Sequence, residues 1–227
     1  MRLARTASGA GPLMILLHGG GSGRATWDAF TRSISGWRVV APDLRGHGDS
    51  PRCPEYTLEG YADDVVELLD ELGCDEHGPA VLVGHSLGAH TASLIAQRHP
   101  GRVSRLVLED PPAPPRAGTP GGFSRARLAL SGLAGGLSPR RRFDRHALMS
   151  AIARLREPDP GWWDGLAKIE APALVLSGGP RSHIPPARLR AVAAAIPDAR
   201  LVTIPVGHRI HSTALSQFTA AVLEFLR

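Results

Sequence analysis

Short runs of apolar residues alternate along the chain with longer segments in which apolar residues recur at helical spacing. The runs that predict strands cover residues 13–17, 38–41, 80–83, 103–108, 173–176 and 200–204. The segments that predict helices cover residues 26–34, 58–72, 87–98, 187–195 and 214–226. Continuous leucine and β-branched runs are typical of strands buried on both faces. This alternation therefore predicts an α/β fold, in which a mostly parallel central sheet carries helices on both faces.

The alternation is interrupted between the fourth and the fifth of these strand-like runs. Prolines and glycines crowd residues 111–122, and a more helical, arginine-rich stretch follows up to about residue 156. We therefore predict one core, formed by residues 1–110 and 166–227, and a small helical cap formed by residues 111–165. The cap offers apolar side chains, a few of which we expect to line an apolar cleft: Phe123, Leu128, Leu130, Leu133, Leu137, Phe143, Leu148, Met149 and Ile152.

The charge of the chain is positive but is not arranged for binding nucleic acid. The formal net charge is +5, and aromatic residues make up only 5% of the chain. Nearly all of the positive charge is arginine, scattered along the sequence. A nucleic-acid interface would be expected to show a basic stripe with interleaved aromatic residues. We therefore interpret the arginines as a solvated surface and expect no nucleic-acid partner.

The start of the chain and its cysteines limit the interpretation further. The apolar run at residues 13–17 is too short for a signal peptide, and glycines follow it instead of a cleavage site. No apolar run approaches the roughly 18 residues that span a bilayer. We therefore expect a cytoplasmic protein with no membrane partner. Cys53 and Cys74 are too few for a disulfide framework and form no metal-binding spacing.

A pentapeptide of the pattern G-x-S-x-G joins the third strand-like run to the helical segment after it. It reads Gly84-His85-Ser86-Leu87-Gly88. In this context the serine stands at the tip of a tight turn that projects its hydroxyl away from the backbone, and the glycines leave room for the crossing chains. The first amides of the helix point at any negative charge that develops there. We predict that Ser86 is a catalytic nucleophile; an ordinary glycine-rich turn is the alternative.

A second glycine-rich turn, His18-Gly19-Gly20-Gly21, follows the first strand-like run. Glycines let the backbone approach a ligand closely, with amides available to donate. We predict an oxyanion hole formed by the amides of Gly20 and Leu87, because two such donors stabilise a tetrahedral oxyanion. His18 is interpreted as a structural hydrogen-bonding residue. A plain turn is the alternative for the whole segment.

A histidine follows the last strand-like run, in the sequence Gly207-His208. In a parallel sheet this loop lies at the same edge as Ser86. A serine hydroxyl is a weak nucleophile until a base takes its proton, and imidazole can do so at neutral pH. We predict that His208 is the base. His211 is close enough in sequence to compete with it, but it stands at the start of the final helix.

Together these motifs resemble those of the α/β-hydrolase superfamily over essentially the whole chain. The segment Asp43-Leu44-Arg45-Gly46-His47-Gly48-Asp49-Ser50 is similar to the family's D-x-R-G-x-G-x-S pattern, which is usually structural. The resemblance implies the order serine, acid, histidine and a cap between the fourth and fifth parallel strands. It also implies the roles given above for Ser86, His208, Gly20 and Leu87. The family's N-terminal antiparallel hairpin must be shortened or missing, because few residues precede the first apolar run.

The acid that would complete the triad departs from the family pattern. The family usually places it after the fifth parallel strand, but the corresponding residues 177–185 contain no carboxylate, and Arg181 or Ser182 stands at its position. Some relatives carry the acid at the end of the fourth strand instead. Asp110 best matches that place, and we predict that it orients His208. Glu109 should point to the other face of the strand. Capping of the strand end is the alternative for Asp110.

These residues imply a serine hydrolase that cleaves an ester, thioester or related carbonyl substrate through an acyl-enzyme on Ser86. The expected partner is a small, apolar molecule with a carbonyl group. The chemistry needs no metal and no organic cofactor. Two alternatives stay open on the same fold: a non-hydrolytic or carbon–carbon-bond tailoring enzyme of the lyase or cyclase type, and a non-catalytic small-molecule receptor. A receptor would have no need of Ser86, His208 and Asp110 in this arrangement.

Overall fold

The computed structural model describes residues 1–116 and 143–227. In this part of the chain, strands form a seven-stranded sheet in the order β1-β3-β2-β4-β5-β6-β7. All neighbouring strands are parallel except β1, which runs antiparallel to β3. The strands are β1 (Arg5–Ser8), β2 (Leu13–Leu17), β3 (Arg38–Pro42), β4 (Ala80–His85), β5 (Val103–Glu109), β6 (Ala173–Ser177) and β7 (Ala199–Thr203).

Helices occupy the connections between the strands. They are α1 (Asp28–Ser33), α2 (Leu58–Glu71), α3 (Cys74–His77), α4 (Leu87–Arg98), α5 (Arg145–Arg154), α6 (Pro160–Gly165), α7 (Pro186–Ala195), α8 (Ile210–Thr213) and α9 (Leu215–Leu226). Short 3-10 turns occur at Arg24–Trp27, Pro100–Arg102, Leu166–Lys168 and Gly179–Arg181. Among the described residues, none of these helices combines the length and the hydropathy that crossing a membrane requires.

The fold class predicted from the sequence is confirmed, and one strand was missed. Strand β1 contains no run of apolar residues and is largely exposed, so its sequence carries no strand signal. It forms because its backbone pairs with the edge of β3, from Arg5 opposite Pro42 to Ser8 opposite Val39. The sequence predicted that the family's N-terminal antiparallel hairpin is shortened or missing. In the described residues, β1 is the antiparallel strand found at that place.

Two apolar clusters cover the two faces of the sheet. Alternate residues of one strand enter different clusters, as the pleat requires: Ile15 and Leu17 belong to one cluster, Met14 and Leu16 to the other. The first cluster contains the apolar sides of α2, α4 and α7. The second contains Trp27, α1 and α9. Burial on both faces explains why the central strands are continuous apolar runs.

Part of the predicted cap lies outside the described residues, including Phe123, Leu128, Leu130, Leu133 and Leu137. In the described part, α5 packs Ala147 and Ala151 against the larger apolar cluster. Trp162 and Trp163 of α6 are buried in the same cluster. The division into a core of residues 1–110 and 166–227 and a cap of residues 111–165 stays a prediction.

The turn between β4 and α4 depends on two glycines that lie in backbone contact. A Cβ atom on Gly84 would lie 2.3 Å from the carbonyl oxygen of Gly88, and one on Gly88 would lie 2.2 Å from that of Leu17. No side chain fits at either position, and the obstacles are backbone atoms that cannot rotate away. The close crossing of β2, β4 and α4 therefore requires both glycines.

We expect Gly88→Ala to destabilise the protein by about 3 kcal/mol, because the new methyl group overlaps the backbone of Leu17. The matched control is Gly101→Ala, since a Cβ at Gly101 meets nothing within 4 Å. It should change stability by less than about 0.5 kcal/mol. Urea denaturation measures both variants. Equal stability of the two would contradict the packing argument.

Candidate active site

Ser86 occupies the turn between β4 and α4 in a conformation that few side chains adopt. Its φ is 51° and its ψ is −118°. The Ser86 amide donates to the carbonyl of Glu109 at 3.0 Å, and its carbonyl accepts from the amide of His90 at 3.0 Å. The residue is partly exposed, whereas His85 and Leu87 on either side are buried. The turn therefore presents the Ser86 side chain at the edge of the sheet.

Backbone strain marks the ends of two neighbouring strands. Within residues 1–116 and 143–227, Ser86 and Asp110 are the only residues other than glycine with positive φ, at 51° and 46°. Such conformations cost about 1–3 kcal/mol each and persist where the surrounding structure enforces them. Here the strands β4 and β5 are paired up to His85 and Glu109, directly before each strained residue. The strain turns both side chains out of the strand direction at the same edge.

Asp110 and His208 are hydrogen-bonded although 98 residues separate them. Nδ1 of His208 donates to Oδ2 of Asp110 at 2.6 Å. Asp110 is completely buried, whereas the side chain of His208 is 20% exposed. The other carboxylate oxygen accepts from the amide of Gly178 at 2.9 Å. The hydrogen bond from Nδ1 of His208 to Asp110 fixes the orientation of the imidazole. Nε2, the nitrogen that Asp110 does not bind, is then the one that can accept a proton.

His208 lies against the turn that carries Ser86. Nε2 of His85 donates to the backbone carbonyl of His208 at 2.8 Å, and the centroids of the two rings are 4.6 Å apart. Within the described chain, the Ser86 hydroxyl forms no hydrogen bond. The predicted serine, base and acid are thus carried by adjacent strand ends and the loop packed against them.

Burial sets the charge states of this pair. The pKa of His208 lies well below its usual value because the ring is desolvated and because His183, His211 and Arg209 are nearby. The pKa of Asp110 is raised by burial, and hydrogen bonds from Ser182 and Gly178 oppose that rise. His208 is therefore neutral at pH 7 and able to accept a proton.

The turn after β2 lies beside the turn that carries Ser86. A Cβ atom on Gly19 would be 3.2 Å from the Cβ of Ser86, and one on Gly20 would be 3.8 Å from Cδ2 of Leu87. Within the described chain, neither the Gly20 amide nor the Leu87 amide donates a hydrogen bond. The two predicted oxyanion donors are therefore neighbours with unused donor capacity.

Two buried histidines hold this turn in shape. His18 donates through Nδ1 to the carbonyl of Gly19 at 2.8 Å and accepts from the amide of Leu44 at 3.0 Å through Nε2. Nε2 of His47 accepts from the amide of Gly21 at 3.0 Å. Because each of these rings accepts an amide, both are neutral. His18 thus has the structural position that the sequence predicted.

The segment at residues 43–50 supports the same turn. The carboxylate of Asp43 accepts from the amide of Arg24 at 2.7 Å and from that of Asp49 at 3.0 Å. Arg45 donates two hydrogen bonds to Asp64, at 2.6 and 2.7 Å. These contacts are internal to the scaffold, which agrees with a structural role for the segment.

A second histidine–carboxylate pair lies on the opposite side of β5, and the sequence did not reveal it. Glu109 points to the other face from Asp110, as expected, and accepts from Nδ1 of His211 at 2.7 Å. Nε2 of His211 is 2.8 Å from the hydroxyl of Thr26. Burial raises the pKa of Glu109 to about 7 and lowers that of His211 to about 3. Both nitrogens of His211 are occupied in the interior, so His208 is the better placed base.

His85, Glu109 and His211 also have the spacing of a metal site, with one ligand atom of each lying within 4.8 Å of the others. All three residues are buried. Their hydrogen bonds account for this proximity, because His211 is bonded to Glu109 and His85 to the carbonyl of His208. A cation would have to displace these bonds. We therefore interpret the cluster as a hydrogen-bond network that anchors the loop of His208.

Ser182 and His183 are further residues of the site that the sequence did not assign. The hydroxyl of Ser182 donates to Oδ2 of Asp110. The ring centroid of His183 lies 4.0 Å from that of His208. Both residues belong to the loop where the resemblance placed the acid. The loop contains no carboxylate. That absence was the sequence feature from which a contact between Asp110 and another polar group of this loop could have been predicted.

A model of the alpha/beta hydrolase family matches residues 14–222. Because this match spans most of the chain, the protein belongs to the α/β-hydrolase family, as the sequence motifs indicated.

Relatives of known or assigned activity match along most of their length. The chain is 28% identical to the sn-1-specific diacylglycerol lipase of Mus musculus, over 95% of this chain and 81% of the relative. It is 32% identical to a pimeloyl-[acyl-carrier protein] methyl ester esterase of Aromatoleum aromaticum, over 84% of this chain and 88% of the relative. Among solved structures, a hydrolase from Pseudomonas aeruginosa aligns with a TM-score of 0.83 at 31% identity, covering 99% of this chain and 94% of that one. The protein is accordingly a hydrolase.

Buried histidines make the stability of this enzyme sensitive to acid. Burial lowers the pKa of three of them to about 3 and that of a fourth to about 4: His18, His85, His211 and His90. In the unfolded chain, histidine titrates near pH 6.5. Below about pH 6.5 the unfolded chain therefore binds protons that the folded protein excludes, and acid favours unfolding. Burial also raises the pKa of Glu109, to about 7, and that of Asp110; these two carboxyl groups act in the opposite sense but are outnumbered by the buried histidines.

We expect the free energy of unfolding to fall as the pH decreases from 6.5 to 4.5. His90→Gln should weaken this dependence by up to about 1.4 kcal/mol per pH unit, the contribution of one fully excluded proton. The exposed His77 provides the control, and His77→Gln should keep the native slope. Urea denaturation at several pH values measures all three proteins. A stability that is constant over this range would contradict the assignment of neutral, buried histidines.

Proposed function

We propose that this hydrolase cleaves a carboxylic ester or a related carbonyl substrate through an acyl-enzyme on Ser86. The observation that carries the proposal is the 2.6 Å hydrogen bond between His208 and the buried Asp110, in a loop that packs against the turn of Ser86. This arrangement gives His208 a fixed orientation and leaves Nε2 to serve the serine. The strained backbone of Ser86 adds independent support, because strain of this kind collects at functional positions.

In the proposed mechanism, His208 takes the proton of the Ser86 hydroxyl as the serine oxygen attacks the substrate carbonyl. Asp110 orients the imidazole and stabilises the imidazolium that forms. The amides of Gly20 and Leu87 donate to the oxyanion of the tetrahedral intermediate. His208 then returns the proton to the leaving alcohol. A water molecule, activated by the same histidine, cleaves the acyl-enzyme.

The surroundings of Gly20 favour a small substrate with an apolar acyl group. Leu148 of α5 covers this turn, since a Cβ on Gly20 would lie 2.9 Å from its Cδ1 atom. Phe143 approaches the neighbouring Gly21 in the same way, at 3.8 Å. These side chains belong to the predicted cap, and we propose that they roof the substrate cleft. The name of the methyl ester esterase to which the chain is 32% identical also specifies an ester substrate.

Carbon–carbon bond hydrolysis, an alternative that the resemblance to the family left open, is the second candidate. The chain is 30% identical to the 2-hydroxymuconate semialdehyde hydrolase of a Pseudomonas strain, over 96% of this chain and 88% of the relative. The same serine, histidine and aspartate would serve that reaction. Rapid turnover of simple esters favours the esterase, whereas slow ester turnover with intact serine reactivity favours the carbon–carbon hydrolase.

A fluorophosphonate probe should label the native protein on Ser86, because His208 activates that hydroxyl. Ser86→Ala should abolish labelling. Ser33→Ala is the matched control, since the Ser33 hydroxyl donates to the carbonyl of Phe30 in its own helix, and this variant should leave labelling unchanged. Mass spectrometry of the labelled peptide identifies the site. Labelling that persists in Ser86→Ala would refute the proposed nucleophile.

We expect Asp110→Asn to lower kcat on short-chain nitrophenyl esters by roughly three to four orders of magnitude, because an amide cannot hold the imidazole in the required tautomer. Asp63→Asn provides the control at an exposed carboxylate that bonds to Arg98. Its turnover should match that of the native enzyme. Near-native turnover of Asp110→Asn would show that Asp110 is not the acid of the triad.

A further inference from the structure

Asp110 is surrounded by donors that come mainly from one loop. Oδ2 accepts from Nδ1 of His208 and from the hydroxyl of Ser182, and Oδ1 accepts from the amide of Gly178. Gly178 and Ser182 both belong to the loop after β6. Because Asp110 has no exposed surface, these protein donors replace the water that would otherwise solvate its charge.

The hydroxyl of Ser182 can act only as a donor toward Asp110. Its oxygen already accepts from the amide of Ile184 at 3.0 Å, so its hydrogen is directed to the carboxylate. Ser182 is itself buried, and its own amide donates to the carbonyl of Gly179 at 3.0 Å. Three donors therefore converge on Asp110, and only the ionised carboxylate can accept from all of them.

We propose that Ser182 is a positioning residue, whose hydroxyl holds the Asp110 carboxylate in the orientation that His208 requires and favours its ionised form. This inference rests on the proposed function, because it concerns the acid of the same triad. The loop that the resemblance expected to carry the acid thus carries instead the group that holds it. Ser182 acts through its hydrogen bond to Asp110.

A substitution of Ser182 leaves unchanged every other titratable or charged residue around the Asp110–His208 pair. A change in the pH profile of such a variant therefore reports on the loss of the Ser182 hydroxyl. The titratable and charged groups that face the pair are His85 on β4, Glu109 on β5, His183 on the loop after β6, and Arg209 and His211 beside His208.

The test compares kcat, KM and the pH profile of kcat/KM for ester hydrolysis in the native enzyme, Ser182→Ala and Ser182→Thr. We expect Ser182→Ala to lower kcat about 10- to 100-fold with little change in KM, as for loss of a hydrogen bond to a charged group. Its acid limb should move to higher pH, because the Asp110–His208 pair then binds a proton more readily. Ser182→Thr, which keeps the hydroxyl, should restore the native profile.

Ser177→Ala is the matched control. Ser177 is a buried serine at the end of β6, and its hydroxyl accepts from the amide of Gly179. Among the described residues, no hydrogen bond joins this hydroxyl to Asp110. This variant should keep the native pH profile. If Ser182→Ala does not fold, Ser182→Cys carries the same comparison, because a thiol fills the space but donates only weakly.

The outcomes separate this inference from the proposed function. A native enzyme without esterase activity and without labelling of Ser86 would refute the proposed function. An active native enzyme, together with a Ser182→Ala variant of unchanged kcat and acid limb, would overturn only the role of Ser182. Reduced activity with an unmoved acid limb would also overturn it, since that result indicates a structural role in the loop.

Discussion

The end of β5 is the constraint on which the rest of the site depends. Two carboxylates follow one another there, and they leave the strand on opposite sides because side chains alternate along it. Glu109 binds His211 and Asp110 binds His208, so one short segment of chain is held at two points. His85 adds a third contact through the carbonyl of His208. The loop that carries the base is therefore fixed to β4 and β5, the strands that precede Ser86 and Asp110.

This rigidity explains how the protein tolerates strained backbone at its working edge. Ser86 and Asp110 each adopt a positive φ, at a cost of about 1–3 kcal/mol per residue. The central strands before them are buried on both faces by the two apolar clusters. Gly84 and Gly88 allow the chain to cross at backbone contact distance. The stability of the core therefore compensates for the strained backbone that orients the side chains of Ser86 and Asp110.

Sequence reasoning worked best where burial imposes a pattern. The helix α4 begins at Leu87 and ends at Arg98, at the predicted limits, because it follows a glycine-rich turn and precedes a proline. Strand β1 was missed because its own residues show no strand pattern. It is a strand only because its backbone pairs with β3. The pairing of Glu109 with His211 and the contact of Ser182 with Asp110 were missed for a similar reason. Both join residues that are more than 70 positions apart.

The sequence by itself determined the fold class and the kinds of residue at the sheet edge, because buried strands need apolar runs and tight crossings need glycine. Family membership followed from the same local motifs. The pairing of Asp110 with His208 was predicted from the resemblance to the family. Only the tertiary structure decided that Glu109 meets His211, and that the hydroxyl of Ser182 and the amide of Gly178 bind Asp110. Hydrogen bonds of this kind depend on where distant strand ends come to lie, and no local pattern records that distance.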